Sequence, residues 1–286
     1  MSGDTPTIEP TGGGVGAHVS NIDLRTELSD DSVALLFQAL GDYGVLFFAD
    51  QNITPDQHLA FAGRFAPVVP NVFLDQVPGY PDISLVQKRK GQRYNIGGDW
   101  HTDHSYDEEP ALGSILVARE TPKRGGDTLF TNMYTAYDTL SDGLKEMLGQ
   151  LSSVHGTSHV YGVAGNRPRL VAQDEDMRGR KPEDYAIKET IHPVVIRHPI
   201  SGRRVLYVDP GYTQKIDGWT HEESEPFLKM LFAHATRPEL TYRFQWKPGS
   251  IAFWDNRCTC HYAVNDYEGG GRVMHRVTVE GVPLVA

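Results

Sequence analysis

Apolar positions along the chain recur with two different periods, and the alternation between them predicts the order of elements. Residues 15–19 read as a short strand. Ser29-Asp30-Asp31-Ser32 then supplies capping residues for an amphipathic helix through about Leu40, with Gly41 and Gly44 at its exit. A β-branched and aromatic strand follows over residues 43–48, and Thr54-Pro55 opens a second helix that runs to about Phe65. A proline-rich loop, 67–81, leads to a strand at 83–86 and to the basic run Lys88-Arg89-Lys90-Gly91-Gln92-Arg93. That run reads as a solvated hairpin, although its place just ahead of His101 leaves a role at a pocket rim open. Strands are predicted at 113–120 and 127–131, then a helix over 133–151 broken near Ser141. Residues 160–185 are polar, charged and aperiodic, and read as an excursion able to serve as a lid. Strands resume at 194–197 and 204–208, a capped helix spans about 220–235, and the remainder is all strand: 240–246, 250–254, 259–263 and 272–279. With no internal repeat and no linker, we expect a flexible tail at 1–12 and a single domain over 13–286.

Strands of mixed spacing with helices packed outside predict a mainly β fold with flanking α, and a double-stranded β-helix, or jelly roll, fits best. The apolar runs, such as 45–49, are too short to cross a bilayer, and the N-terminus has neither a basic nor an apolar leader region. Cys258 and Cys260 lie too close together to staple a fold, which points to a reducing compartment, the cytoplasm by default. A net charge of −10 opposes attraction to nucleic acid or anionic lipid, so an anionic ligand has to be drawn in by a local basic pocket. Oligomeric state is left open, a homo-oligomer included.

Candidate chemistry centres on Asp99-Trp100-His101-Thr102-Asp103, where strand period two would place an imidazole and a carboxylate on one face. His261, in a second strand-like segment, is the best third ligand, and two His with one carboxylate is the ligand set of non-haem Fe(II) oxygenases. Cys258-Thr259-Cys260-His261 invites a zinc reading, but alternation turns both cysteines away from the face of His261. His155-Gly156-Thr157-Ser158-His159 makes a poor helix and a poor ligand pair. His104, directly after the metal motif, and His159, before the excursion, are candidates to touch substrate. In 272–279, alternation sets Arg272, Met274, Arg276 and Thr278 on one face and Val273, His275, Val277 and Val279 on the other. The mostly apolar face should pack, leaving the arginine face for a pocket where anions offset the cost of burial.

Trp100-His101-Thr102-Asp103, Gly125-Gly126-Asp127-Thr128, Trp254-Asp255-Asn256-Arg257 and Arg272-Val273-Met274-His275-Arg276 occur in that order. On these motifs, from about residue 15 to 281, the chain resembles the taurine dioxygenase family of Fe(II)/2-oxoglutarate-dependent oxygenases. That group also includes aryloxyalkanoate-herbicide dioxygenases and alkylsulfatases. The resemblance implies a jelly-roll core, with Fe(II) held by His101, Asp103 and His261. It also implies a distal carboxylate of 2-oxoglutarate bound by Thr128 and Arg272, the keto acid end chelating the metal. The implied reaction consumes O2 and couples decarboxylation of 2-oxoglutarate to hydroxylation of a C–H bond, releasing succinate and CO2. Related halogenases have Ala or Gly where this chain has Asp103, so oxygenation is implied. Arg276 matches the arginine that meets the sulfonate in taurine dioxygenase, but Asn71 stands where that enzyme has a sulfonate-contacting histidine, and Gly97 replaces a contacting asparagine. The expected substrate is therefore a small anionic molecule with a larger organic body, walled by Phe73, Tyr94, Tyr106 and Tyr161, with aryloxyalkanoates and alkyl sulfates or sulfonates ahead of taurine. A non-catalytic jelly-roll metal-binding protein and a metal-dependent hydrolase remain as alternatives.

Overall fold

Alternation along the strands sorts side chains onto two faces of a large sheet, and different layers cover the two. The computed structural model describes residues 5–12, 14–71, 74–93, 95–161, 187–268 and 270–286. Its strands are β1 (Thr7–Pro10), β2 (Ala17–Ser20), β3 (Val45–Phe48), β4 (Val68–Val69), β5 (Asp75–Val77), β6 (Tyr80–Lys88), β7 (Gly113–Glu120), β8 (Thr128–Asn132) and β9 (Ser152–Gly156). They continue as β10 (Glu189–Pro193), β11 (Val195–Arg197), β12 (Arg204–Leu206), β13 (Thr213–Ile216), β14 (Thr241–Phe244), β15 (Ile251–Asp255), β16 (Thr259–Ala263) and β17 (Arg272–Val279). The large sheet has the order β1-β2-β3-β15-β7-β17-β6-β5, with β4 beside β17. A smaller sheet, β14-β8-β16, faces it.

Between the two, Phe47, Leu116, Ala252, Trp254 and Met274 meet Phe130, Phe244 and Trp246, and Phe47 stacks on Phe244 with ring centroids 4.3 Å apart. Each fully buried Phe contributes roughly 1.5–3 kcal/mol, so this layer holds the sheets together and leaves only their mouth for polar groups. The opposite face of the large sheet, including Val277 and Val279 as alternation predicted, is covered by Leu36 and Leu40 of α1 (Asp30–Tyr43) and Phe61 of α2 (Pro55–Ala62). Ser29 caps α1 by accepting from the Ser32 amide, and Thr54 forms a capping box with Gln57 on α2. Gly44 ends α1 at φ +76°, where a Cβ would lie 2.7 Å from Thr259 Cγ2 at the start of β16. Behind the small sheet, α3 (Met133–Asp138), α4 (Asp142–Leu148) and the β11–β12 hairpin form a third layer around Tyr134, Leu206 and Cys260. The short α5 (Ser158–Tyr161) follows β9, and α6 (His221–Ala235) completes the third layer through Leu228 and Leu231.

Two expectations change. The tail predicted for 1–12 contains β1, paired along its length with β2. Gly16, at φ +86°, makes the turn, its amide donating to the Tyr43 carbonyl. Residues 152–156, given no strand from sequence, form the centre of the sheet β10-β9-β13. Their inward positions include Ser153 and His155, which bond to each other at 3.0 Å, so alternation was hidden behind polar side chains. The lid expectation for 160–185 falls, from residue 162 on, outside the described residues. Among those described, no helix is long and apolar enough to cross a membrane.

Candidate active site

His261 is carried by β16 opposite Phe130 of β8, and its ring lies 4.8 Å from that of Trp254, while its neighbour Cys260 turns into the third layer. His101 belongs to no strand. It forms a single antiparallel bridge with His261, in which the two residues exchange both backbone hydrogen bonds, at 3.1 and 2.8 Å. Such pairing puts the two side chains on one face, and the ring centroids are 4.2 Å apart. Beyond His101 the chain bends, so Asp103 is not delivered by strand alternation as expected. Thr102 fixes the bend by donating its hydroxyl to the Asn256 carbonyl at 2.5 Å. A Cβ on Gly211 would stand 2.4 Å from His101 Cβ, so only glycine allows that loop to close on His101 from behind.

In this arrangement the Asp103 oxygens lie 3.7 Å from His101 Nε2 and 3.7 Å from His261 Nε2. A first-row metal ion bonding N and O at about 2.1 Å needs ligand atoms about 3–4 Å apart, which these separations meet. His101 Nδ1 donates to the Asp99 carbonyl at 2.7 Å, which leaves Nε2 bare toward Asp103. Asp103 Oδ2 is buried and makes no hydrogen bond, its contacts being the ion pair with Arg276 Nη1 at 3.2 Å and the nearby His261 imidazole, so a lone pair remains for a cation. Burial opposes the charge on Asp103, but Arg276 foremost, then His261, His101 and His104, hold its carboxyl well below the usual range. Burial, then the neighbouring His101, pushes His261 well below its ordinary value, toward the neutral form a metal requires. A second group with metal-ligand atoms, His198, Asp255 and Cys258, is already satisfied. Arg257 clamps Asp255 bidentately at 2.9 and 2.6 Å, and His198 spends its nitrogens on Asp255 and Ser201.

Thr128 and Arg272 meet at Trp246: the indole N–H donates to Thr128 Oγ1 at 2.9 Å, and the Arg272 guanidinium lies 5.8 Å from the Trp246 ring. Arg272 is buried, its Nε has no partner, and no carboxylate among the described residues pairs with it. Burial pulls its guanidinium down to about 10. Arg276, further along the same face of β17, places Nη1 3.3 and 3.2 Å from the two Asp103 oxygens, while Nε and Nη2 are buried and unpaired. Asn71 Nδ2 lies 3.4 Å from His104 Nε2, and Arg276 contacts Asp103, the residue before His104 in the chain. His159 instead donates to the Gly211 carbonyl at 2.6 Å. Of the aromatic wall, Tyr106 is buried and packs on Tyr212 at 4.8 Å, whose ring is 6.3 Å from His101. Phe73 and Tyr94, and the side chain of Tyr161, lie outside the described residues.

Several site residues escaped the sequence reading. Lys88, in a run read as a solvated hairpin with a pocket-rim role left open, is 6% exposed and sits in register with Arg272, its ammonium 4.2 Å from the centre of the Tyr267 ring. Asp107 bonds His104 and pairs with Lys188. The one available signal was Asp209-Pro210-Gly211, a turn sequence whose buried Asp209 is pushed up to about 7 by burial.

Facing β-sheets with two imidazoles and a carboxylate at their mouth, and open positions between them, make up the architecture of non-haem Fe(II) oxygenases. The chain belongs to the family described as "Taurine catabolism dioxygenase TauD, TfdA family", whose model matches residues 7–278. It is 35% identical over 271 residues to an alkylsulfatase of Acinetobacter baylyi, covering 94% of this chain and 83% of that one. An alpha-ketoglutarate-dependent sulfate ester dioxygenase of Pseudomonas putida is likewise 35% identical, over 279 residues, 97% of this chain and 90% of the relative. The crystal structure of a taurine dioxygenase from Burkholderia xenovorans superposes with a TM-score of 0.81 at 34% identity, covering 99% of this chain and 93% of that one. Membership makes the chain a 2-oxoglutarate-dependent dioxygenase, an oxidoreductase that uses Fe(II), 2-oxoglutarate and O2. It sets aside the non-catalytic and hydrolase alternatives.

Proposed function

We propose that this enzyme hydroxylates a C–H bond of a small organic acid, with sulfate esters and sulfonates of larger organic groups foremost, converting substrate, O2 and 2-oxoglutarate into hydroxylated product, succinate and CO2. His101, Asp103 and His261 hold Fe(II), which supplies the oxidising chemistry when bound. Thr128 and Arg272 hold the distal carboxylate of 2-oxoglutarate and so orient its keto acid end toward the metal. Asn71 and Arg276 hold the anionic head of the substrate, and Tyr106 and Tyr212 shape an apolar wall beside His101 that excludes water. The observation that carries this reading is the pair of buried arginines on one face of β17, each with unpaired N–H groups. Arg272 has no carboxylate partner among the described residues and Arg276 shares Asp103 with the proposed metal, so a ligand anion would offset the cost of burying them. The two sulfate-ester-related homologues at 35% identity support the head group, and Asn71 in place of the histidine expected for taurine argues for a larger acid than taurine. The test is succinate release over a panel of alkyl sulfates, alkyl sulfonates and aryloxyalkanoic acids beside their neutral amides and esters, repeated with Arg276→Ala. Acids are expected to turn over in preference to neutral analogues, with the preference lost in the variant. Equal turnover of neutral analogues by the wild type would overturn the anion pocket.

A further inference from the structure

We infer that Ser114 and Thr278 are specificity-determining residues which, beside the free edge of Arg276, receive an acid head with three terminal oxygens, a sulfonate or sulfate ester, in preference to a planar carboxylate. The inference deepens the proposed function, on which it rests for Arg276 facing the substrate head. It starts from the sorting of side chains on the large sheet. Leu116 of β7, Trp254 of β15 and Met274 of β17 face the small sheet, whereas Ile115, Phe253 and Val277 face the helices. Period two then puts Ser114, Arg276 and Thr278 on the face toward the small sheet, where the site lies. Ser114 is paired with Trp254 on one side and with Thr278 on the other, so the three form one row across β15, β7 and β17, with neighbouring Cβ atoms about 4.5–5.5 Å apart. Arg276 is the next position on that face of β17.

What this row carries does not suit a core layer. Ser114 and Thr278 are buried, and neither hydroxyl has a hydrogen-bond partner among the described residues; the Trp254 indole N–H at the end of the row has none either. Buried hydroxyls without partners destabilise a fold, and alanine or valine would fill the same space without that cost. Arg276 spends Nη1 on Asp103, at 3.3 and 3.2 Å from its two oxygens, which leaves the Nε and Nη2 edge of the guanidinium buried and unpaired. The N–H groups on such an edge are parallel and hold two oxygens of one anion.

The shape of the head then decides how many donors it can use. A carboxylate has two oxygens in one plane, and the guanidinium edge engages both. A sulfonate, or the free end of a sulfate ester, has three oxygens at tetrahedral angles, so with two on the guanidinium edge the third stands out of its plane. Thr278, one inward position along the strand, and Ser114 across from it offer hydroxyl donors to that third oxygen. Strand order brings Asn71 to the same corner. β4 pairs with Thr278 and Val279, and β6 takes over that edge of β17 at Arg276, so the chain leaves the sheet directly after Val69 and passes the corner with Asn71 buried. Guanidinium edge and hydroxyl row together form a donor set that a head accepting in three directions satisfies and a carboxylate leaves partly unmet.

The test is binding without turnover. Full-length protein loaded anaerobically with Fe(II) and 2-oxoglutarate is titrated with heptanesulfonate, octanoate and octanamide, which share a heptyl chain and differ only in the head, and Kd is read from the shift of the visible charge-transfer band. The wild type is expected to bind heptanesulfonate at least about tenfold more tightly than octanoate, and octanamide least tightly. Ser114→Ala and Thr278→Val should each weaken heptanesulfonate about tenfold while moving octanoate less than about twofold. Thr278→Ser keeps the hydroxyl and should keep the preference, which separates the hydroxyl from the packing of the methyl group. Equal Kd for the two acids in the wild type, with octanamide weaker, would overturn the inference and leave the anion pocket standing, and this comparison holds even where a variant fails to fold. Octanamide binding as tightly as both acids would overturn the pocket itself. Losses shared equally by the two acids in the variants, or no loss with either, would show that the hydroxyls do not meet the head group and would overturn the inference. A band unmoved by all three compounds would overturn the substrate reading and this inference with it.

Discussion

Replacing Arg272 by methionine is expected to leave the unliganded protein at least as stable while removing most of its affinity for 2-oxoglutarate. Arg272 is 5% exposed, and burial draws its guanidinium down to about 10. Relative to an ordinary arginine, that depression corresponds to about 3 kcal/mol held against the unliganded fold. The penalty is fully present at neutral pH, where folded and unfolded chains both carry the charge, and is relieved only above about pH 10, where the folded chain sheds its proton first. Against it stands the contact with Trp246 at 5.8 Å, worth about 0.5–2 kcal/mol, while methionine keeps most of the packing of the aliphatic stem. The balance favours the variant by about 1–2 kcal/mol, or a Tm rise of about 2–6 °C for a chain of this size.

Co-substrate binding should move the other way. Losing one partner of a buried charge pair costs on the order of 2–5 kcal/mol, so the Kd for 2-oxoglutarate should rise at least about thirtyfold. Calorimetry without 2-oxoglutarate measures the first effect, and anaerobic titration of the Fe(II)-loaded protein, followed through its visible charge-transfer band, measures the second. A Tm lower by more than about 5 °C would show that Arg272 is structural. An unchanged Kd would place the distal carboxylate elsewhere, and Lys88, the register partner of Arg272, would be the next residue to replace.

Asp103→Ala should lose both iron retention and substrate-coupled succinate release, measured by metal content and product analysis, and the wild type should give no chlorinated product in chloride buffer because the carboxylate occupies the position a halide would take. Asp255→Asn should lower stability by about 3–5 kcal/mol in denaturant melts, since it leaves the buried Arg257 without its bidentate partner. Burial opposes the Asp255 charge, but Arg257 and then His198 hold its carboxyl below the carboxylate range. The stability it contributes is therefore present at neutral pH and lost as pH falls through that depressed value. His58, fully buried with Nε2 on the Ile115 carbonyl, is pushed down to about 3 by burial first and by Arg119 next. The unfolded chain binds a proton near pH 6.5 that the folded one refuses, so stability should fall by about 1.4 kcal/mol per pH unit from 6.5 toward 3. Tm against pH should show a shallower decline in His58→Gln, and an identical slope would refute the assignment.

How much could be read in advance depended on whether a residue's role was local. Capping by Ser29, Thr54 and Thr220 needs only near neighbours, and those helices were legible to within a few residues. So was the two-faced β17, because alternation is a property of the strand itself. That His101, Asp103 and His261 come together was legible too, but the reason given for their meeting was wrong. Strand period was to align His101 with Asp103, whereas the structure uses a bridge to His261, the Thr102 bond to Asn256 and the close approach of Gly211, three contacts from distant parts of the chain. Lys88 was lost for a related reason: a lysine among lysines and arginines reads as solvated, and only pairing with β17 buries it.

Charge accounting at the mouth supports the proposed acidic substrate although the chain carries −10 overall. Arg272 and Arg276 are buried there, and Asp103 is the carboxylate that contacts Arg276, while Lys88 is matched by the nearby Glu268 and Asp127 by Arg243. Two arginines and one carboxylate leave a surplus of one positive charge, to which Fe(II) adds two more. Dianionic 2-oxoglutarate offsets two of these three. Because buried charges in a low-dielectric site are costly unless matched, the remaining surplus favours a second anion over a neutral molecule of the same shape. The overall negative charge adds selectivity of a different kind: it repels polyanions such as nucleic acid at long range, while a small acid that reaches the mouth meets only the local field.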